Sequence, residues 1–171
     1  MFGEALALSD HRLTEHMTPT VKSDRFGVVS SSTKCHACGE WTPVKALLVR
    51  GGQWRNEPDD EDDYWYPIEG AGLLLYVQDV NAEALAIWRN AAPWVRNTPS
   101  RTAGISYWSN TCVHCEALQG DWFLTKPDGP FFPTTPELEA KVALDWADGS
   151  IEAVANVNEA SWLDGLAERM V

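Results

Sequence analysis

Residues 35–39 read CHACG and residues 112–116 read CVHCE. These two stretches decide the reading of the chain, because they hold all four of its cysteines. A C-x-x-C pair sets two thiolates within reach of one ion but fills only half of a tetrahedral shell. Two pairs complete a four-cysteine set, the closed arrangement that zinc favours in structural sites. Cys35, Cys38, Cys112 and Cys115 are therefore the expected ligands of a single ion. Zinc is the expected metal, and iron suits the same soft donors.

The pairs stand 73 residues apart, further than such pairs commonly lie. Lengthening the closed loop from ~18 residues to that span costs only about 1.2 kcal/mol, because loop entropy grows logarithmically. Structural zinc binding in small domains is worth ~10–16 kcal/mol, so a long insertion is easily accommodated. A redox C-x-x-C usually sits at a helix N-terminus, where the dipole lowers the thiol pKa. Here Gly39 follows Cys38, which suits a tight knuckle better than a helix start. A catalytic zinc keeps a position open for water, and four cysteines leave none. His36 and His114 lie inside the pairs, where side chains point outward, so they are expected to be exposed and not ligands. The metal is expected to be structural.

Around the pairs, FGVVS (26–30), PVKALLVRGGQW (43–54), GLLLYVQDV (72–80) and ISYWSNT (105–111) read as strands. Residues 81–95 read as a helix opened by Asn81, with Leu85, Trp88 and Ala92 on one face and Pro93 ending it. RNTPSRTAG (96–104) reads as a loop and GDWFLTKP (120–127) as a strand leaving the second pair. Thr134 with Glu137 has capping-box spacing and Pro136 suits a first turn, so a helix is expected to about Trp146. ASWLDGLAERM (160–170) suggests another, and a short one is expected near 9–17. His11 and His16 are five apart, which does not align them on a helix face for a second metal site.

YWSNTCVHCEALQGDWFL (107–124), with PFFP (130–133) after it, resembles a group of poorly characterised bacterial zinc-ribbon proteins. Their second knuckle is framed by aromatic-x-x-Asn before it and Gln-Gly-Asp-aromatic after it. CGEWTPV (38–44) looks like their first knuckle. The resemblance spans roughly residues 34–48 and 107–133, and implies a zinc-ribbon core with Cys35, Cys38, Cys112 and Cys115 as ligands. It implies no established activity. Glu116 departs from the pattern, since a glycine commonly follows the second cysteine. Asn110 and Asp121 flank this knuckle and are expected to bond local backbone or support the ligands.

The net charge of −12 is unevenly spread. Residues 1–56 carry +2, EPDDEDD (57–63) carries −6, residues 64–134 carry −2 and residues 135–171 carry −6. Such a field repels phosphate backbones, so nucleic acid is an unlikely partner by charge, despite Lys45, Arg50 and Arg55. A basic protein partner is compatible with it. Asp59, Asp60, Glu61, Asp62 and Asp63 lead directly into Tyr64, Trp65 and Tyr66. The acids lack the spacing of a calcium loop, but acids that steer beside aromatics that bind make a candidate partner surface. The blander alternative is a solvated loop. No apolar run approaches the ~18 residues of a membrane span. The N-terminal stretch lacks a basic region before an apolar one, so a cytoplasmic protein with reduced thiols is expected.

Together these features predict an α+β fold: a zinc-ribbon core with an inserted strand–helix segment and C-terminal helices. The expected organisation is a zinc-ribbon domain over 1–133 and a helical segment over 134–171. No phosphate loop, nucleophile elbow, HExxH or catalytic pair is present, so no enzyme activity is expected. The leading expectation is a protein–protein interaction module with a structural four-cysteine zinc site. The alternative is an acidic inhibitor or immunity-type protein that neutralises a basic partner such as a nuclease.

Overall fold

The computed structural model describes residues 17–56 and 63–170. The helix expected near 9–17 therefore falls, but for Met17, outside the described residues, as do His11, His16, Asp59, Asp60, Glu61 and Asp62.

Eleven strands and four helices follow one another in the described chain. They are β1 (Val21–Ser23), β2 (Phe26–Lys34), β3 (Trp41–Arg50), β4 (Gln53–Trp54), β5 (Tyr66–Pro67), β6 (Ala71–Val80) and α1 (Ala82–Ala91). Then come β7 (Arg96–Ser100), β8 (Ile105–Thr111), β9 (Leu118–Gln119), α2 (Asp121–Leu124), α3 (Pro136–Glu139), β10 (Ala143–Trp146), β11 (Ile151–Glu159) and α4 (Ser161–Arg169). Eight strands form one antiparallel sheet in the order β10-β2-β3-β6-β11-β1-β4-β5. β7, β8 and β9 form a smaller antiparallel sheet.

This architecture corrects the expected α+β zinc ribbon. Strands hold 43% of the described residues and helices 18%, so the sheet, not a small ribbon, is the framework. The C-terminal part is not simply helical either. The helix expected to run to Trp146 stops at Glu139, and β10 then pairs with β2 from Ala143↔Ser30 to Trp146↔Gly27. The reason lies in the side chains: Val142 and Leu144 are buried while Ala143 and Asp145 are exposed, a period of two that outweighs the helix propensity of Ala, Leu, Glu and Lys. β11 has no counterpart among the expected elements, and it joins β6 to β1 in the middle of the sheet. RNTPSRTAG contributes β7, and GDWFLTKP begins with the single helical turn of α2.

The large sheet is covered on both faces. Phe26, Val28, Leu47, Val49 and Leu74 face one cluster, roofed by Ala84, Trp88 and Ala92 of α1 and the residue after it. Val29, Ala46, Leu48 and Leu73 face the other, roofed by Leu163, Leu166 and Ala167 of α4 with Leu124 and Phe131. Burial on both faces explains why ALLVR and GLLLYV read as continuous apolar runs instead of alternating ones. The described helices include none long and apolar enough to cross a membrane.

Asn81 precedes α1 as expected, but its side chain does not cap the helix. Its amide accepts from the Glu152 N–H and donates to the Ser150 carbonyl, so it ties the helix start to β11 instead. The capping side chain of α3 is Thr135, one residue beyond the expected Thr134; it accepts from the Leu138 N–H, with Pro136 in the first turn.

Candidate metal centre

Each cysteine pair occupies the turn of a hairpin. β2 and β3 pair up to Lys34↔Trp41, and the first knuckle closes their end. β8 and β9 pair at Thr111↔Leu118, and the second knuckle closes theirs. The two turns repeat the same bonds. Cys35 N–H donates to the Glu40 carbonyl and Gly39 N–H to the Cys35 carbonyl. Cys112 N–H donates to the Ala117 carbonyl and Glu116 N–H to the Cys112 carbonyl. Two residues on from the first cysteine of each pair, the N–H of Ala37 or His114 points at its sulfur at 3.4 Å. The fold thus brings together two pairs that are 73 residues apart in sequence.

All four Sγ atoms lie within 4.8 Å of one another. Cys35 and Cys115 sulfurs are 3.6 Å apart, and those of Cys38 and Cys112 are 3.7 Å apart. A tetrahedral ion with metal–sulfur bonds of ~2.3 Å needs sulfurs about 3.8 Å apart, so the donor set fits zinc or tetrahedral iron. The same spacing is far beyond a disulfide bond, and all four thiols are free. Cys35 and Cys112 are buried, whereas Cys38 and Cys115 face outward.

The ionisation of the thiols follows from their surroundings. The N–H of Cys38, set against burial and helped by that of Ala37, holds the Cys35 thiol down to about 6. Burial works against Cys112, yet the N–H groups of Cys115 and His114 lower it too. The N–H of Glu40 favours the Cys38 thiolate, but burial and the neighbouring thiols push it up to about 12. Cys115 is raised in the same way, against the N–H of Ala117. One thiol of each pair is therefore shifted down and the other up, by the balance of backbone N–H groups against burial and the neighbouring thiols. A cation among them favours the thiolate form of all four.

Neither histidine joins the sulfurs; each straps the two knuckles together. His36 Nε2 meets the Leu118 carbonyl at 2.7 Å, and His114 Nε2 meets the Trp41 carbonyl at 3.0 Å. Each ring comes from one knuckle and bonds the chain leaving the other. Both are exposed, as the sequence predicts, but the reciprocal strapping is visible only in the structure. Two more supports escape the sequence reading. Gln119 Nε2 donates to Cys35 Sγ at 3.3 Å, and Thr42 Oγ1 accepts from the Val113 N–H at 3.1 Å. Gln119 is the Gln of the quoted Gln-Gly-Asp motif, so a signal for it is present in the sequence.

Asn110 and Asp121 bond backbone, but that of distant segments and not the local backbone expected of turn-flanking residues. Asn110 is buried on β8 and reaches β3: its Oδ1 accepts from Lys45 N–H at 2.9 Å, and its Nδ2 donates to the Lys45 carbonyl at 2.9 Å. The same oxygen accepts from the Trp94 indole at 3.0 Å. This amide is the polar bolt between the two sheets. Asp121 accepts from the Tyr76 N–H at 2.7 Å. Burial pushes its carboxyl up to about 7, against that hydrogen bond.

The acidic–aromatic stretch is described from Asp63 onward. Asp63 pairs with Arg55, whose guanidinium also lies 4.6 Å from the Trp65 ring and donates to the Pro19 carbonyl. Tyr64 and Tyr66 are exposed and meet edge to face at 4.7 Å, with Tyr66 stacked on Trp54. Arg55 and Asp63 are thus committed to each other beside β5, at the edge of the large sheet. Comparison of the chain with protein-family models, with curated proteins and with solved structures gives no significant match, so the zinc-ribbon resemblance rests on the knuckle residues alone.

Proposed function

We propose that the protein is a binding module stapled by one structural zinc ion, and that it acts through a protein partner instead of through chemistry at the metal. The observation that carries this reading is the closure of the donor set. Four thiols at tetrahedral spacing supply every ligand position, and both nearby histidines are turned to carbonyls. Such a centre holds two hairpins in register and has no vacant position for a substrate.

The partner surface in this reading is the stretch from Asp59 to Tyr66. Exposed Tyr64 and Tyr66, the latter backed by Trp54, offer large rigid contact area, and the adjoining acids would steer a basic partner. The net charge of −12 favours the narrower version, an inhibitor or immunity-type protein that occupies the cationic face of a nuclease.

Metal analysis of anaerobically purified protein tests the staple, with one zinc or iron per chain expected; a metal-free, fully folded protein would sink it. Affinity capture from native extract tests the partner. A single basic protein retained by the wild type and lost with Tyr64→Ala plus Tyr66→Ala supports the reading, and equal capture by both contradicts it.

A further inference from the structure

Beside the His36–Leu118 strap lies a cleft of about 980 Å³, at the upper end of the range for small-ligand sites. One wall is the β7–β8 hairpin with Arg101 at its tip, and the other is α2 with Trp122 and Phe123. The floor is where β6 and β11 lose register. Leu75 pairs with Asn156, but the next pairing toward the sheet centre is Asp79 with Val154, so Tyr76, Val77 and Gln78 bulge out. Within the bulge Tyr76 has φ +51°, left-handed backbone that a bulky side chain rarely adopts. Asp121 holds it there through the Tyr76 N–H, and the Tyr76 ring meets Tyr107 edge to face at 5.2 Å. Bulges re-aim side chains beside functional sites, and strain of this sort persists only where the surroundings enforce it.

We propose that this cleft is a binding site for a neutral saccharide. Its lining combines aromatic surface with uncommitted amides. Tyr76 and Trp122 offer rings, and Trp122 is 61% exposed, although a side chain of that size gains by being covered. Gln78 and Asn156 also line the cleft, and their side-chain amides bond no other described residue. Rings that cover the C–H face of a pyranose and amides that pair with vicinal hydroxyls are the two halves of sugar recognition. Charge decides against the main rival, a nucleotide. Among the described residues the lining holds no carboxylate and one exposed arginine, in a chain of net charge −12. A neutral polyol meets no such repulsion. An extended peptide would need free backbone donors on the floor, and that of Tyr76 is held by Asp121.

The metal centre braces one wall. His36 of the first knuckle stacks on Phe123 at 5.6 Å and 18°, and Phe123 meets Trp122 edge to face at 5.1 Å. The site shares no residue with the acidic–aromatic stretch and does not depend on the protein partner.

The test is an array of neutral glycans probed with the full metal-loaded chain, followed by titration of the best-retained glycan and, separately, of AMP. Retention of a neutral glycan is expected, with Trp122→Ala and Gln78→Ala each weakening it about tenfold, the loss of one good contact. Both residues are solvent-accessible, so their variants should keep the wild-type melting temperature, which is measured alongside. The proposal is overturned if no glycan is retained, if AMP binds where glycans do not, or if both folded variants bind the glycan as tightly as the wild type.

Discussion

The two knuckles make the same hydrogen bonds from different sequences and in different settings. The first is the turn of a long hairpin inside the eight-stranded sheet, and its left-handed position is filled by Gly39 at φ +76°. The second ends a small sheet, β9 being only two residues long, and the equivalent position is filled by Glu116 at φ +63°. A glycine bears that conformation freely, whereas a glutamate is strained by it. The first knuckle is thus shaped by its own chain. The second is held in shape from outside, by the sulfur cluster, by the bonds of Asn110 to β3 and by an Arg96–Glu116 ion pair at 2.9 Å. The N–H···S pattern defines a knuckle, and the residue that satisfies its backbone can vary when something else restrains it.

If that contrast is right, damage to the shared centre should be the largest effect. Cys112→Ser, or removal of the metal by chelation, is expected to lower the melting temperature by about 10 °C or more, since the second knuckle loses its main restraint. A variant with wild-type stability would show that the sulfurs do not hold the hairpins together. Next in size is the bolt between the sheets. Asn110→Ala leaves the Lys45 N–H and carbonyl and the Trp94 indole, all part-buried, without partners, and should cost about 2 kcal/mol in denaturant unfolding. A loss below ~1 kcal/mol, the worth of one ordinary hydrogen bond, would mean that the second knuckle needs no such anchor.

The segment leaving the second knuckle should be sensitive to pH. Folding raises Asp121 to about 7, so the native state favours its proton. Its contribution to stability is full below the ordinary carboxylate range, falls as the unfolded chain ionises first, and is at its lowest above about pH 7. Asp121→Asn should remove this fall and raise stability at pH 7.5 relative to pH 4 by on the order of 2 kcal/mol, with the Tyr76 hydrogen bond kept. An unchanged pH profile would contradict the burial of that carboxyl. The smallest effect concerns the two left-handed residues themselves. Glu116→Gly should stabilise by about 0.5 kcal/mol, relief of strain being partly offset by the lost ion pair and the freer unfolded chain. Gly39→Ala should destabilise by about 1 kcal/mol, with open space around the new methyl, so backbone alone is at fault. If both substitutions have the same sign, the two knuckles do not differ as argued.

The four-cysteine cluster is legible in the sequence because two C-x-x-C pairs state both the donor atoms and their spacing. Strands β2, β3, β6 and β8 are legible for a similar reason, each being an apolar run bounded by glycine or polar residues. The C-terminal strands are obscured by composition. ELEAKVALDW is rich in helix formers, and only the alternation of Val142, Leu144 and Trp146 marks it as a strand once β2 is there to pair with. β11 lies opposite the bulge of β6, and its alternation breaks where Ala153 and Val154 are both buried, so its pattern fits no single period. His36, His114 and Asn110 can be placed near the knuckles but not assigned, since each bonds a residue from a distant segment. The cleft is invisible in the sequence, because its lining comes from several separated stretches and its central tyrosine owes its direction to a backbone conformation.

The strand order has a consequence for the timing of folding. β1, the earliest strand described, sits between β4 and β11, and β2 has β10 as its outer neighbour. During synthesis β2 waits for residues 143–146 and β1 for residues 151–153 to complete their pairing, whereas the last cysteine is available at residue 115. Long-range pairing of this kind is slow and leaves strand edges exposed meanwhile. The two cysteine hairpins, by contrast, are complete in a nascent chain that still lacks β10, β11 and α4, so that in the proposed reading an ion could tie the junction before the sheet is finished.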